Sequence, residues 1–563
     1  MTRITIVAHL LLLPAAAAMR APMARSTKHL FLYCDPTHEQ ADVEQALHGH
    51  GADAVLLSRN AALAGSELED GRVVNRMPQP GDEESWAKEA LPAGAVIRGV
   101  LCGDDAGLAD AERLAHALCP SRANGIHSGR RDKYLMNEVL RSAGIACCAQ
   151  LAPASWAETQ EWLRNEENGG LPAILKPRRG VASILVGLAQ TESEAESMYE
   201  ALSVSGKAGA IADDGPDDEL ASRGTVVVQE YLDGDEWIVD TVSRDGHHKV
   251  VALWRYDKGE ANGAPFVYFG VSPEPSAGAE AQALTSYALR ALDALGWRWG
   301  PCHLEIKLTR RGPRLVETNM GRWNGIPFKR LSDQCIGRNA YDLTLAAFLD
   351  GDARADAEWA ACPDVPPPSL RARGQLVHLV SHVSGKLRRL RHGKRLSQLP
   401  SLVHFAPRFS SKGEVVRPTT CFNSCAGEAH LVHPDPQVVA RDYALMRRLQ
   451  PSLFAVARPG LLSRLSALSN LLRGRRPKRS DILYVRRGYV LRRVRAGVGG
   501  KQYTAAQMIV DSLQMQPGIV PVDGSMAGVM RVRVLSAAGE TSMVEVQDLR
   551  GPTYEVVATM DDA

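Results

Sequence analysis

The segment from Gly300 to Asn319 constrains the chain more than any other. It reads Gly-Pro-Cys-His-Leu-Glu-Ile-Lys-Leu-Thr-Arg-Arg-Gly-Pro-Arg-Leu-Val-Glu-Thr-Asn. Two alternating runs flank the turn signal Arg311-Gly312, a pattern that predicts an antiparallel hairpin. Period-two alternation puts His303, Glu305 and Lys307 on one face of the first strand. On the second strand, Leu315, Glu317 and Asn319 are expected to share a face. Pairing then brings Glu305 beside Glu317 and Asn319. Facing carboxylates destabilise a sheet unless a cation lies between them. A set of oxygen donors with open positions is what Mg²⁺ requires. An exposed acidic hairpin is the plainer reading of the same residues.

Three earlier segments carry related chemistry. Arg130 to Ile145 has apolar residues at Tyr134, Met136, Val139 and Leu140, one face of a helix that Gly144 ends. Lys133 falls in its first turn, where the helix dipole favours anions, so the lysine suggests a reach toward phosphate. A buried-looking strand, Ala173-Ile-Leu-Lys176, leads into Pro-Arg-Arg-Gly-Val-Ala-Ser183 and a short strand expected from Ser183 to Val186. Gly180 lets backbone N–H groups approach phosphate oxygens while Lys176 neutralises charge. No Gly-Lys-Ser/Thr follows, so this is not a Walker loop. In Thr225 to Asp240, two strands flank a turn at Asp233-Gly234. Gln229, Glu230 and Leu232 precede the turn and offer polar and backbone contacts to a flat base. Glu236 follows it, with a carboxylate suited to ribose hydroxyls. Taken singly, each segment has an ordinary reading as a surface lysine, a glycine loop or a polar hairpin.

The remaining sequence sets the frame. With 563 residues, 45% of them hydrophobic and 23% charged, the chain is globular in composition and long enough for several domains. A net charge of +2 gives no sign of a nucleic-acid partner; the basic run from Arg473 to Arg479 reads as a solvated linker. Residues 28–123 alternate strands and helices, which predicts a parallel sheet of Rossmann type, and they lack a dinucleotide glycine fingerprint. Residues 124–352 hold the four motifs. A Pro-rich break at Pro363 to Pro368 precedes a further lobe at 369–458, a basic linker at 459–480 and a strand-rich region at 481–563. In that last region Val485 to Val494 and Met530 to Val546 read as hairpins. The ten cysteines lack zinc spacing and fit reduced thiols; a metal or redox scaffold on Cys421 and Cys425 is the weakest alternative.

Residues 1–27 form a leader. Met1 to Ala18 combines Arg3, an apolar stretch and an Ala run, the layout of a secretory signal. The basic stretch from Arg20 to Lys28 makes the whole similar to bipartite plastid leaders. Secretory-pathway or plastid targeting is therefore expected, with the cytoplasm as the alternative. No later stretch reaches the roughly 20 apolar residues of a membrane span.

In order and spacing, the four motifs together resemble the ATP-grasp superfamily, and within it the L-amino-acid ligases and carnosine-synthase-like carboxylate–amine ligases. The resemblance runs from about Ala95 to Arg448. It rests on Asp132-Lys133 with Ala143-Gly144-Ile145, Lys176-Pro177 with Gly180 and Ser183, and Glu230 to Gly234. Asn262 to Tyr268, Gly300-Pro301 and His303 to Lys307 also carry it, as does the later stretch from Ala372 through His433-Pro-Asp435. It implies an α/β (α+β) fold, with a Rossmann-like N-terminal domain before a two-lobed ATP-grasp fold and an extra strand-rich C-terminal region.

It also implies an ADP-forming ligase that joins a carboxylate to an amine through an acyl phosphate, with amino acids as candidate substrates and a homodimer as one assembly. Lys133, Lys176, Gly180 and Ser183 would hold the ATP phosphates, Gln229, Glu230 and Leu232 the adenine, and Glu236 the ribose. Glu305, Glu317 and Asn319 would bind two Mg²⁺, with Mn²⁺ as a substitute. Arg322 would stabilise the transferring phosphate or hold the substrate carboxylate, and His303 would face the acyl site. The chain departs from the family in two places. The arginine expected four residues after Glu317 is displaced by one to Arg322, ahead of Trp323-Asn324-Gly325, and Ile184 replaces a small residue. Two other functions fit the motifs: phosphoryl transfer to a hydroxyl or enol, and nucleotide-binding regulation without ligation.

Overall fold

The computed structural model describes residues 29–36, 40–60, 64–65, 73–180, 185–207 and 226–457, together with six strands beyond residue 492. The leader, Ser183 and Ile184, the linker and residues 208–225 lie outside the described residues. Among those described, no helix is long and apolar enough to cross a membrane.

The N-terminal region is a parallel sheet. Its strands are β1 (His29–Cys34), β2 (Ala52–Ser58), β3 (Asn75–Arg76) and β4 (Val96–Cys102), in the order β3-β2-β1-β4. Central β1 reads His-Leu-Phe-Leu-Tyr-Cys and is buried on both faces from Leu30 onward, as a central parallel strand requires. Helices α1 (Gln40–Gly49), α2 (Glu83–Ala90) and α3 (Leu108–Leu118) connect and cover the strands.

Helix α4 (Lys133–Ser142) leads to a small antiparallel sheet. It contains β5 (Gln150–Leu151), β6 (Ala173–Pro177), β7 (Gly187–Ala189) and β8 (Val226–Glu230), ordered β5-β8-β6-β7. Helices α5 (Trp156–Arg164) and α6 (Glu192–Lys207) belong to this lobe, and Trp162, Leu163, Ala195 and Leu202 seal one face on Leu175 and Val228. The strand expected at Ser183 to Val186 begins instead at Gly187, after Leu185 takes a positive φ of 62°.

Eight strands then form the large sheet. They are β9 (Asp235–Arg244), β10 (His247–Ala261), β11 (Ala264–Glu274), β12 (Gly300–Thr309), β13 (Gly312–Met320), β14 (Arg373–His378), β16 (Leu402–Pro407) and β18 (Gly427–His433). Their order is β13-β12-β9-β10-β11-β14-β18-β16, every neighbouring pair antiparallel. Between them in the chain lie α7 (Ala279–Ala294), α8 (Ile326–Cys335), α9 (Ala340–Phe348), α10 (Ala353–Ala361), β15 (Gly385–Leu390), α11 (Gly393–Leu396) and β17 (Val415–Val416), with α12 (Pro436–Leu449) and β19 (Phe454–Val456) at the end. Alternation divides the faces. Val239, Leu253 and Leu304 pack under α7, whereas Ile238, Trp254 and Leu376 pack under α8. Strands β14, β16 and β18 come from beyond the Pro-rich break, so that break does not separate two sheets.

The parallel sheet docks onto this body. Phe31 and Leu101 share a core with Trp299, Tyr341 and Phe348. Gly99 makes room for it: a Cβ there would meet the Phe348 ring at 2.7 Å. In the C-terminal region, β20 (Arg493–Ala496), β21 (Gln502–Thr504), β22 (Met508–Met515), β23 (Val529–Ser536), β24 (Thr541–Asp548) and β25 (Tyr554–Ala558) form one sheet. The hairpin expected from Met530 to Val546 is β23 paired with β24. Of the Val485 to Val494 hairpin, only Arg493 and Val494 are described; they pair with Thr504 and Tyr503.

Candidate active site

The small and large sheets meet over a cleft of about 830 Å³, its open mouth included. The chain crosses between them at Tyr231 to Gly234. Strands β8 and β9 flank the expected turn but belong to different sheets, so this turn is a connection between lobes and not the bend of a hairpin.

Helix α4 and β6 supply two lysines. Asp132 caps α4, accepting from Tyr134 N and Leu135 N at 3.0 and 3.1 Å. Its other carboxylate oxygen takes Arg178 Nη2 at 2.7 Å, and Lys133 N donates to Arg178 O at 2.8 Å. These bonds fix the start of the helix to the loop after β6. Lys133 Nζ then donates to Gly180 O at 2.6 Å and lies 3.0 Å from Glu317 Oε2. Lys176 is buried and reaches Val316 O at 3.5 Å. Burial pushes its ammonium below the usual lysine range and the charge of Lys133 adds to this, while Glu317 opposes both.

The facing strands of the large sheet supply the oxygens. Glu305 pairs with Glu317 and His303 with Asn319, while Ile306 pairs with Leu315. Val316 is thus an extra residue, a β-bulge. It overturns one expectation: Leu315 is buried in the core beneath α7, on the face opposite Glu317. The bulge reverses the alternation, so Leu315 fills the core while Glu317 keeps the cleft face. It also turns the Val316 carbonyl toward Lys176.

Glu305 is held by three groups. Tyr256 Oη donates to Oε1 at 3.3 Å, His303 Nε2 lies 3.3 Å from the same oxygen, and Lys258 Nζ is 3.6 Å from Oε2. Burial would raise the Glu305 pKa, but Lys258 and His303 hold it well below the usual carboxylate range. Lys258 also pairs with Glu236 and sits 4.0 and 4.1 Å from the Tyr256 and Tyr268 ring centres. Lys307 lies 3.6 Å from Glu236 and donates to Gly234 O at 2.9 Å.

Behind Glu305, His303 Nδ1 lies 3.1 Å from Asp240 Oδ1. Asp240 accepts in addition from Trp254 Nε1 and Asn324 Nδ2, each at 2.8 Å. Burial alone would lower the His303 pKa; the bonds to Asp240 and Glu305 override it and raise it to about 9.

Of the residues singled out in the sequence, Lys133, Lys176, Gly180, Gln229, Glu230, Leu232, Glu236, Glu305 and Glu317 line the one cleft. Gln229 donates to Gln150 Oε1 at 2.9 Å. The Glu230 carboxylate is committed to Ala149 N at 3.0 Å and Arg311 at 2.7 Å. His303 and Asn319 stand next to the two glutamates along their strands. Arg322 does not line the cleft: its Nε pairs with Asp105 Oδ1 at 2.5 Å. That aspartate follows β4 of the parallel sheet, and burial raises its pKa against the pull of Arg322.

Residues 170–329 match the family model of the ATP-grasp domain. The architecture is that of the ATP-grasp fold. The chain resembles the ATP-grasp carboxylate–amine ligases. Dapdiamide A synthase of Enterobacter agglomerans is 26% identical over 289 residues, 51% of this chain and 64% of that protein. Carnosine synthase 1 of Gallus gallus is 28% identical over 262 residues, 46% of this chain and 26% of that protein. The chain therefore spans less than two thirds of the length of these curated relatives. The crystal structure of an L-amino acid ligase from Bacillus licheniformis superposes with a TM-score of 0.56 at 17% identity, over 77% of this chain and 99% of that one, which shows a shared fold.

In this ATP-grasp cleft, sequence reasoning missed Lys258, Tyr256 and Asp240. Their signal was present: Tyr256 and Lys258 alternate on β10, and Asp240 lies in register with His303 across β9 and β12. None of them belongs to a turn or a glycine-rich loop, so no local motif marks them. Asp105 had no signal, because its approach to Arg322 depends on the docking of the parallel sheet.

Proposed function

We propose that this chain is an ADP-forming ligase that joins a carboxylate to an amine. The observation that carries the proposal is the convergence of Lys133 and Lys176 on the Glu305–Glu317 pair at one end of a cleft between two lobes. ATP is the substrate for which that arrangement is built. Its base would lie near Gln229 and Leu232, its ribose near Glu236, and its phosphates between the lysines.

The donors opposite the lysines fit a magnesium site. Glu305 and Glu317 are cross-strand partners, Asn319 stands two residues beyond Glu317 as the register partner of His303 and would add a third oxygen, and among the described residues lysines and His303 balance the two charges. Mg²⁺ bound there, as two ions in the fuller form of this reading, would neutralise phosphate charge. Lys133 and Lys176 offset negative charge on the transferring phosphoryl group. A carboxylate oxygen attacks the γ-phosphorus, the bridge to ADP breaks, and an acyl phosphate forms. The amine nitrogen then attacks the acyl carbon, the C–O bond to phosphate breaks, and the nitrogen loses a proton. Both ring nitrogens of His303 face carboxylates, so we assign it the positioning of Glu305 and not the role of base. Exclusion of water by the two lobes protects the acyl phosphate.

The test is ADP and phosphate release by the purified chain with Mg-ATP and pooled amino acids, followed by mass spectrometry. The expected product is one water lighter than its two substrates combined. A phosphorylated product would instead identify a phosphotransferase. ATP binding without substrate-dependent ADP release would identify a regulator.

A further inference from the structure

Four strands separate the Glu305–Glu317 pair from a second cluster of ligating side chains, which stands at the opposite edge of the large sheet. His404 is on edge strand β16, and Glu428 and His430 are on β18. His404 and His430 are register partners, and Glu428 precedes His430 by two residues, on the same face. The three donor atoms lie within 4.8 Å of one another. His430 Nε2 is 3.2 Å and His404 Nε2 is 4.0 Å from Glu428 Oε1. None of the three lines the nucleotide cleft.

We propose that His404, Glu428 and His430 form a transition-metal site of the zinc class that clips the edge strand of the large sheet to its neighbour. Tetrahedral zinc with bonds of about 2.0–2.1 Å to nitrogen and oxygen separates its donors by roughly 3.3 Å. The observed 3.2 and 4.0 Å bracket that spacing. Two imidazoles and one carboxylate suit zinc and its neighbours, whereas Mg²⁺ and Ca²⁺ take oxygen sets such as the one in the cleft. The His430 side chain is 1% exposed, while that of His404 is 38% exposed. The site thus has a rigid, buried side and a side open to solvent, through which an ion can enter and a water can complete the coordination. Its role follows from its place: among the described strands β16 ends the sheet, and a bond network across β16 and β18 holds an edge strand that pairs there with β18 alone.

This inference is independent of the ligase reading and is tested without activity. The purified chain is stripped with a chelator and titrated with Zn²⁺ against a chromophoric competitor in excess Mg²⁺. Co²⁺ loading is followed by its visible d–d bands. One equivalent of Zn²⁺ that excess Mg²⁺ does not displace is expected, together with a rise in Tm. Both should be lost in His404→Ala and in Glu428→Gln, which alter half-exposed side chains and remain folded even where His430→Ala does not. Three results would overturn the proposal: no zinc retained by the unmodified chain, the same stoichiometry in His404→Ala, or loss of zinc only on Cys421→Ser with Cys425→Ser.

Discussion

Lys133 Nζ stands 3.0 Å from Glu317 Oε2, so a cation in the first turn of a helix closes onto a carboxylate of the large sheet. The same ammonium donates to Gly180 O in the loop after β6, and it thereby touches both walls of the cleft. With nucleotide bound, this lysine would exchange the carboxylate for phosphate oxygens. Lys133→Met is expected to lower kcat/KM for ATP by at least about 100-fold, with the circular dichroism spectrum unchanged. Steady-state ADP release checks it, and wild-type turnover would sink the phosphate assignment.

Glu305 and Glu317 are expected to act as a pair. Glu317→Gln keeps the shape and the cross-strand partner but removes one charge. The Mg²⁺ concentration for half-maximal ADP release should rise at least about tenfold, since hard cations follow ligand charge. A Mg²⁺ titration at saturating ATP reads it, and an unshifted midpoint would move the metal elsewhere.

Lys176 carries a pH prediction. Burial and Lys133 hold its pKa below the usual lysine value, so it loses its charge earlier as pH rises. ATP affinity should therefore fall on the alkaline side. Lys176→Arg keeps a cation at every accessible pH, and the alkaline limb of the KM profile should move upward in that variant. Superimposable profiles would show that another group titrates there.

Asp240 holds three donors, the buried side chains of Trp254 and His303 and the half-buried amide of Asn324. Asp240→Ala leaves the Trp254 and His303 donors unsatisfied and is expected to cost about 3–5 kcal/mol, the range for removing one partner from a buried charged pair. Urea denaturation measures this; a loss below about 1 kcal/mol would mean that water replaces the carboxylate.

Gly234 stands at the crossing between the lobes with φ of 131°, and a Cβ there would meet Leu308 O at 2.2 Å. Gly234→Ala should destabilise the fold by about 1–3 kcal/mol and raise the KM for ATP. Thermal unfolding and ADP-release kinetics provide the two readings.

Much of this site was legible because its signals are local. The alternation from His303 to Lys307, the Arg311-Gly312 turn, and the apolar face that places Lys133 in the first turn of α4 and ends it at Gly144 each depend on near neighbours in the chain. Their register follows from side-chain period and turn geometry. Leu315 was misplaced because one unpaired residue, Val316, reverses a period-two count without any mark in composition. Glu230 lines the cleft, and its carboxylate is held by Ala149 and Arg311, which other elements bring in and no local pattern announces.

The sequence by itself determined the strand that presents Glu305, the helix that starts at Lys133, and the loop that follows Lys176. Each is set by periodicity, capping or glycine over a few residues. Only the tertiary structure decided that β8 and β9 enter different sheets, that Lys258 lies between Glu236 and Glu305, that Asp105 takes Arg322, and that His404 meets Glu428 and His430. Those relationships join segments that no local rule connects. They exist because strand pairing across the large sheet and burial of its two apolar faces bring distant segments of the chain side by side.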